Sequence, residues 1–371
     1  MLKLYNILEL KNKLQNIDKI FLFGAGNRLE LFQQIFGDCN IEDKICGVID
    51  NSKKLYNRAI KVFGKLYKII DLKEGSNLIN DNSIIIVTPD RLYQDICDQL
   101  YKEQLMNKCE VVCLTHVISI EHDINSLKKN ITETHLRSVK QIPKIIHYCW
   151  FGRNNIPDTY KKWMDSWKKF CPDYDIIEWN ESNYDIKKNK YMRQAYESGK
   201  WGFVPDYARM DIINTYGGVY LDTDVELVKS MDDLLYQDGF FGFQQDDLVN
   251  LGHGFGSKKN NDLLIEMMEE YNKQSFILEN GDLNMLPSPY YQTKILVKNG
   301  LKLNGNQQII KNNMIYPEKM LCGKSIYTFV VNTKSYTHAI HHFDGSWADK
   351  KDKNFNIRME KELQEYHLWK K

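Results

Sequence analysis

Residues 203–226, FVPDYARMDIINTYGGVYLDTDVE, join a helical pattern to a short strand that ends in two acidic residues. The helix is expected to run as far as Tyr216, because the two glycines that follow are a usual stop signal for a helix. Residues 219–221 then form a short apolar strand that leads into Asp222 and Asp224. Ligands of open α/β sheets bind at the carboxyl ends of strands. The stretch therefore predicts an α/β domain with a site at this strand end.

The acidic and basic residues of this stretch have spacings that suit the binding of a cation and a phosphorylated ligand. Asp206 and Arg209 lie one helical turn apart and can point in the same direction. Asp222 and Asp224, separated by the small Thr223, offer oxygen ligands to a hard divalent cation. Such a cation can bridge the phosphates of a nucleotide diphosphate and neutralise charge on a leaving diphosphate. An Asp-Thr-Asp turn also occurs without any ligand, so the interpretation depends on the helix and strand before it.

The first part of the chain alternates strands and helices. Four short apolar runs, each separated from the next by a helical pattern, lie at residues 20–23, 45–49, 84–87 and 111–114. Continuous apolar strands that alternate with helices are typical of a parallel sheet covered on both faces. The sequence therefore predicts a small Rossmann-like domain.

A partial phosphate-binding motif follows the first of these strands. Gly24 and Gly26 supply two glycines of G-x-G-x-x-G, but Leu29 stands where the third belongs. Asp50 ends the second strand, where an acidic side chain can hold a ribose hydroxyl. Gly24, Gly26 and Asp50 are the candidate ligand residues of this domain. The alternative is a tight turn and a strand-end aspartate that bind nothing.

Composition narrows the class of protein. The 371 residues include 43% hydrophobic and 27% charged residues, which excludes a disordered or fibrous chain. A net charge of +1 argues against a nucleic-acid partner, whose binding relies on positive charge. The eight scattered cysteines, the absence of a signal-peptide pattern and the lack of a membrane-length apolar run lead us to expect a cytoplasmic protein.

A polar connector occupies about residues 117–140, and strand and helix patterns resume at Gln141. We therefore expect two domains, a Rossmann-like domain at residues 1–135 and a larger α/β domain at residues 136–371.

Several motifs of the second part occur together in one known family. From Ile142 to Trp347 the chain resembles glycosyltransferase family 32, the D-x-D sugar transferases that include bacterial capsule and lipopolysaccharide enzymes. It resembles the clostridial glucosylating toxins more distantly. The segment from residue 18 to about 116, with FGAG from Phe23, GVIDN from Gly47 and IIIV from Ile84, resembles small Rossmann-like domains at the front of bacterial sugar-modifying enzymes. The family 32 resemblance rests on IPKIIHYCWFG from Ile142, SWKKFCPDY from Ser166, DYAR from Asp206, GGVYLDTDV from Gly217 and HHFDGSW from His341.

The resemblance implies a GT-A fold, a nucleotide-sugar donor such as a UDP-sugar, a Mn²⁺ or Mg²⁺ ion, and retention of anomeric configuration. It also implies roles for four catalytic residues. Asp224 would bind the metal, and Asp222 the metal, the ribose or the donor sugar. Asp206 and Arg209 would hold the donor sugar and its phosphate.

The same resemblance extends to aromatic residues and to the late histidines. Tyr148 and Trp150 would lie near the nucleotide base, although Trp150 also fits a core aromatic. Ser346 and Trp347 would cover the donor. Only one residue of the adjacent pair His341 and His342 should reach the metal, because neighbours on a strand point to opposite faces. Counting back from Trp347 favours His342 as the metal ligand.

The expected reaction is sugar transfer to a hydroxyl of a bacterial surface glycan or of a lipid-linked oligosaccharide. His253 is a candidate to face the donor or the acceptor. An apolar stripe in the tail, Phe355, Met359, Leu363 and Tyr366, is expected to pack on the protein or to contact the inner face of a membrane. Two other classes remain open, a nucleotide- or dinucleotide-binding redox or regulatory protein acting through the first domain, and a nonenzymatic assembly scaffold.

Overall fold

The computed structural model describes residues 2–129, 131–132, 135–245, 248–345, 354, 357–359 and 361–363. The chain forms two compact units, one comprising Met1–Ile124 with Phe355–Lys371 and the other Asn125–Asn354. The C-terminal residues thus group with the first unit, whereas the sequence pattern assigns them to the second domain. The boundary expected between residues 135 and 136 stays a prediction.

The first unit contains alternating strands and helices. Its strands are β1 (Lys19–Phe23), β2 (Ile45–Ile49), β3 (Ala59–Val62), β4 (Lys65–Ile70), β5 (Ser83–Val87) and β6 (Glu110–Cys113). Its helices are α1 (Ile7–Asn16), α2 (Arg28–Phe36), α3 (Leu72–Ser76), α4 (Tyr93–Lys102) and α5 (Leu114–Leu127), the last of which extends past the unit boundary at Ile124.

The strands of the first unit form one sheet in the order β3-β4-β2-β1-β5-β6. All neighbours in it are parallel except β3 and β4. Both faces are covered, since Ile20 and Leu22 of β1 join one apolar cluster while Phe21 and Phe23 join another. The predicted parallel sheet with two buried faces is confirmed.

The described part of the tail packs within the first unit. Met359 and Leu363 are buried. Between them, the Glu362 carboxylate accepts a 2.8 Å hydrogen bond from a buried tyrosine hydroxyl of α4. For these residues the packing interpretation holds; the other two members of the stripe, Phe355 and Tyr366, lie outside the described residues.

The second unit is also mixed α/β. Its strands are β7 (Ile145–Cys149), β8 (Asp175–Trp179), β9 (Gly218–Tyr220), β10 (Val225–Leu227), β11 (Gly239–Gln245), β12 (Leu248–Val249), β13 (Phe255–Ser257), β14 (Gln308–Ile310), β15 (Asn313–Tyr316) and β16 (Ala339–His341). Its helices are α6 (Asp158–Phe170), α7 (Lys190–Glu197), α8 (Pro205–Tyr216), α9 (Asp262–Asn272), α10 (Ser288–Lys298) and α11 (Glu318–Leu321).

The main sheet of this unit has the order β14-β15-β11-β13-β9-β7-β8, with β12 paired to β11. Strand β7 is parallel to β8 and β9, and β13 runs antiparallel between β9 and β11. A separate antiparallel pair joins β10 to β16. This mixed sheet fits the GT-A type that the resemblance implied. No helix of the described residues is long and apolar enough to cross a membrane.

The predicted helix and strand of residues 203–226 are present as α8 and β9. The two are joined at Gly217 and Gly218, which have φ angles of 68° and 112°. A Cβ at Gly218 would lie 2.7 Å from the Ile145 carbonyl oxygen and 2.9 Å from His147 Nε2. Glycine is therefore required here both for its backbone conformation and for the close approach of β7.

We expect Gly218→Ala to lower the free energy of unfolding by more than about 2 kcal/mol, because φ strain adds to a clash with backbone. Gly199→Ala is the matched control, since Gly199 has a φ of 69° but no atom within 4 Å of an added Cβ. Its loss should stay near 1 kcal/mol, from φ strain alone. Urea unfolding followed by tryptophan fluorescence measures both, and equal losses would contradict the packing described.

Candidate active site

Asp222 and Asp224 lie in the turn that links β9 to β10. The Val225 N–H donates to the Asp222 carbonyl at 3.1 Å and closes this turn. The Asp222 N–H donates to the Gly252 carbonyl at 3.2 Å, which brings the loop before β13 to the same place. Both carboxylates therefore stand at the strand end that the sequence predicted.

His341 completes a cluster with the two aspartates. One possible ligand atom from each of Asp222, Asp224 and His341 lies within 4.8 Å of the others. His341 Nε2 is 3.2 Å from Asp224 Oδ1, and the Asp344 N–H donates to Asp224 Oδ2 at 3.1 Å. Two carboxylate oxygens and one imidazole nitrogen suit Mn²⁺ or a similar divalent ion. The residues present therefore fit the metal that the D-x-D motif predicts.

The structure brings His341, rather than the expected His342, to the two aspartates, and which histidine binds a metal stays a prediction. His342 Nε2 lies 2.9 Å from Glu226 Oε2, and its ring stacks on Trp163 at 4.1 Å between centroids. Strand alternation puts His342 on the side of Glu226, as expected for paired strands. Asp224 precedes β10 and sits in the turn, so its side chain does not follow that alternation and meets His341 instead.

Arg209 connects the D-x-x-R helix to the D-x-D turn. Its guanidinium donates to Asp206 Oδ1 at 2.8 Å and, through Nε, to the Pro205 carbonyl at 3.0 Å. On its other side Nη1 lies 3.6 Å from Asp222 Oδ2. Tyr220 donates to Asp222 Oδ1 at 2.9 Å and lies beneath the guanidinium. Asp206 and Asp222 thus flank the buried guanidinium of Arg209, and a carboxylate oxygen of Asp224 lies within 4.8 Å of one from Asp222.

Burial and neighbouring charges shift the pKa values of the three carboxyl groups in different directions. Burial raises the pKa of Asp206 to about 7, although Arg209 opposes the shift. Burial also raises the pKa of Asp222. Burial alone would raise the pKa of Asp224, but the adjacent His341 holds it below the ordinary value. His341 in turn has a raised pKa, because Asp224 outweighs the effect of burial. Crowded acidic groups of this kind favour a bound cation.

The aromatic residues expected near the nucleotide base have different environments. Tyr148 is buried, donates to Glu178 Oε2 at 2.7 Å and packs edge-on against Trp167. Trp150 is only partly buried, and its Nε1 donates to the Asn154 carbonyl at 2.6 Å. The structure thus places Tyr148 in the core and Trp150 at its edge, and their roles stay predictions. Ser346 and Trp347 lie outside the described residues.

Near the cluster lie two features that did not emerge from the sequence, and His253, which the sequence offered as a candidate to face the donor or the acceptor. Tyr160 and Trp163 of α6 stack on each other at 5.4 Å and extend the stack that ends at His342. A Cβ at Gly252 would lie 2.5 Å from Asp222 Oδ2, so this loop approaches the carboxylate closely. His253 is fully buried with its ring 6.3 Å from that of His341, and burial lowers its pKa to about 3.

Two of the candidate ligand residues of the first unit, Gly24 and Asp50, form hydrogen bonds that join the loop after β1 to the end of β2. The Asp50 carboxylate accepts from the Ala25 N–H at 2.9 Å and from the Ser52 N–H at 2.8 Å. Gly24 has a φ of 111° and donates its N–H to the Ile49 carbonyl at 2.8 Å. These bonds give Gly24 and Asp50 a structural role in joining the ends of β1 and β2. A Cβ at Gly26 meets nothing within 4 Å.

Ligand binding at Gly24, Gly26 and Asp50 stays a prediction. A comparison of the melting-temperature shifts caused by NAD and by UDP-sugars tests it.

A comparison with known protein families matches the part of the chain that contains the site. Residues 157–241 match the family model described as a glycosyltransferase sugar-binding region containing the DXD motif. This range contains Asp206, Arg209, Asp222 and Asp224. The D-x-D glycosyltransferase region that the sequence motifs predicted is therefore confirmed.

Curated relatives match over a similar length. Inositol phosphoceramide mannosyltransferases 3 and 1 of Schizosaccharomyces pombe are 36% identical over 103 residues and 32% over 112, in each case 26% of this chain. The mannosyl phosphorylinositol ceramide synthase of Saccharomyces cerevisiae is 34% identical over 98 residues, 25% of this chain. The matches span 28%, 32% and 25% of the relatives' own lengths. A solved structure, the PaToxG glycosyltransferase, is 19% identical and covers 50% of this chain and 76% of its own, with a TM-score of 0.37.

The two adjacent histidines make a matched pair for testing the cluster. We expect His341→Ala to weaken Mn²⁺ binding by more than the roughly 10-fold that loss of an outer-shell partner costs, because a ligand is removed. His342→Ala should leave Mn²⁺ affinity within about two-fold of wild type, since this ring faces Glu226. Titration of Mn²⁺ by electron paramagnetic resonance measures both, and the reverse order of the two variants would refute the assignment.

Proposed function

We propose that the chain is a retaining, metal-dependent glycosyltransferase that moves a sugar from a nucleotide diphosphate to a hydroxyl of a glycan or lipid-linked acceptor. One observation carries the proposal: Arg209 joins the D-x-x-R and D-x-D carboxylates into one buried cluster inside the matched region. A scaffold protein has no need to keep such a cluster of charges out of water, because its burial is unfavourable.

The residues of the cluster have different roles in the proposed reaction. Asp222, Asp224 and His341 would hold a Mn²⁺ or Mg²⁺ ion, which when bound supplies positive charge to the leaving diphosphate. Arg209 adds a second positive charge that is already fixed in place, so no reorganisation is needed as charge develops. Asp206 accepts hydrogen bonds from the donor sugar and orients it.

Retention of the anomeric configuration is explained most simply if the acceptor hydroxyl attacks the face of the sugar from which the diphosphate leaves. A double displacement needs a side-chain nucleophile. Of the carboxylates at the site, Asp206 and Asp222 are held by Arg209, and Asp224 faces His341. The acceptor hydroxyl therefore approaches from the side of the leaving diphosphate, whose oxygen takes the proton.

The donor and acceptor are proposed at the level of chemical class. A UDP-sugar is the donor expected from the sequence, and the names of the relatives point to mannose as a second candidate. Those names also contain an inositol phosphoceramide, an acceptor with sugar-like hydroxyls on a lipid. A screen of donor hydrolysis across UDP-glucose, UDP-galactose, their N-acetyl forms and GDP-mannose identifies the donor.

We expect Asp224→Asn to lower the rate of metal-dependent donor hydrolysis by at least about 100-fold, because a charged ligand is replaced by a neutral amide. The fold should persist, as the side chain keeps its shape. Asp165→Asn, at an exposed position of α6, is the control and should keep full activity. Full activity in Asp224→Asn would refute the proposed role of the cluster.

The pH dependence follows from Asp206, whose pKa is raised to about 7 by burial. The ionised carboxylate is the form that accepts hydrogen bonds, so kcat/KM for the donor should be high above pH 7 and fall as pH drops below it. Asp206→Asn should have low activity without this acidic limb. An unchanged limb in that variant would assign the titration to another group.

A further inference from the structure

One face of helix α6 lies along β10, the strand that follows the D-x-D turn. The Leu227 N–H donates to Ser166 Oγ of the helix at 2.8 Å. The next helical residue, Trp167, is fully buried, and its Nε1 donates to the Val225 carbonyl at 2.8 Å. Two side chains of α6 therefore fix the backbone of β10, which begins directly after Asp224.

The first turns of α6 reach the residues that end and follow β16. The ring of Trp163 stacks on that of His342 at 4.1 Å between centroids. One turn earlier, Tyr160 is 5% exposed, and its hydroxyl donates to Asp344 Oδ2. Residues three apart on a helix share a face, so Tyr160 and Trp163 approach this segment together. The helix thus contacts both strands of the β10–β16 pair.

Asp344 connects Tyr160 to the proposed metal ligand Asp224. The Asp344 N–H donates to Asp224 Oδ2 at 3.1 Å, while His341 Nε2 lies 3.2 Å from Asp224 Oδ1. The His342 N–H also donates to the Asp224 carbonyl at 2.9 Å. Both carboxylate oxygens and the backbone of Asp224 are therefore oriented from the end of β16.

The backbone that presents the Asp344 N–H has an unusual conformation. Phe343 has a φ of 54° and Gly345 a φ of 57°. The left-handed region is unfavourable for a bulky residue such as Phe343, and it persists where the surrounding structure imposes it. The bond from Tyr160 holds the side chain of Asp344, which lies between these two residues. It is therefore placed to keep the segment in this conformation.

We propose that Tyr160 is a positioning residue for the metal site. Its hydroxyl holds the Asp344 carboxylate against α6, while the Asp344 N–H points at Asp224 Oδ2. A second carboxylate turned toward Asp224 would instead oppose its ionisation. Partners that orient metal ligands change metal affinity by about 10–100-fold. The inference rests on the proposed function and adds to it a residue that acts on the ion only through Asp344.

The experiment removes the Tyr160 hydroxyl and measures Mn²⁺ binding by the full chain. Tyr160→Phe keeps the ring that stacks on Trp163, so the fold should persist. Tyr174→Phe is the matched control, since it also removes a buried phenol bonded to an aspartate, Asp232, whose carboxylate is held by two lysines as well. Titration followed by electron paramagnetic resonance should give a Kd about 10-fold higher in Tyr160→Phe and unchanged in Tyr174→Phe.

A second variant breaks the same hydrogen bond from its other side. Asp344→Ala should also raise the Kd for Mn²⁺, and adding Tyr160→Phe to it should raise the Kd no further, because the two residues act through one bond.

Hydrogen exchange of the metal-free protein gives a readout that needs neither the ion nor activity. Mass spectrometry over residues 341–345 should show faster exchange in Tyr160→Phe than in wild type, since the segment that carries the Asp344 N–H is no longer held. Tyr174→Phe should exchange at the wild-type rate there.

An equal Kd for Mn²⁺ in wild type and Tyr160→Phe, or a rise that Tyr174→Phe matches, would overturn the inference and leave Tyr160 a packing role. Additive losses in the combined variant, or unchanged exchange over residues 341–345, would also overturn it. If the wild-type protein binds no Mn²⁺, the proposed metal-dependent function fails together with the inference. The two failures are therefore distinguishable.

Discussion

The second unit depends on one buried guanidinium held between two carboxylates. Arg209 is 4% exposed and contacts Asp206 on its own helix and Asp222 at the end of β9. Removing such charges from water costs several kcal/mol per ion, which only close pairing can offset. The helix α8, the glycine pair after it and the start of the D-x-D turn therefore have to adopt one arrangement together. The pair Gly217 and Gly218 makes this possible by letting the chain reverse against β7.

The burial of these charged groups also explains why the site favours the binding of a divalent cation. Asp222 and Asp224 stand two residues apart beside Asp206, while Arg209 and His341 are the positive partners within contact. A net charge of +1 for the whole chain hides this local concentration of acid. Phosphate-bearing donors bring further negative charge to the cluster, so a divalent ion and a fixed arginine are the physical means to accept it.

Local patterns predicted the elements that local interactions determine. Apolar periodicity and the placement of glycines over short stretches predict the parallel sheet of the first unit and helix α8. They also predict the position of Asp222 and Asp224. The choice between His341 and His342 required the turn before β10 and the register of β16, which are set by contacts more than 100 residues apart in sequence.

The proposed metal site at Asp222, Asp224 and His341, and its use for a nucleotide diphosphate, can be tested by diffraction. Crystals grown with Mn²⁺ and a nucleotide diphosphate, measured at the manganese absorption edge, locate the ion without reference to activity. We expect one strong anomalous peak in contact with Asp222, Asp224 or both, with His341 and the diphosphate. A peak between Glu226 and His342, or no peak at the D-x-D turn while the nucleotide is bound, would contradict it.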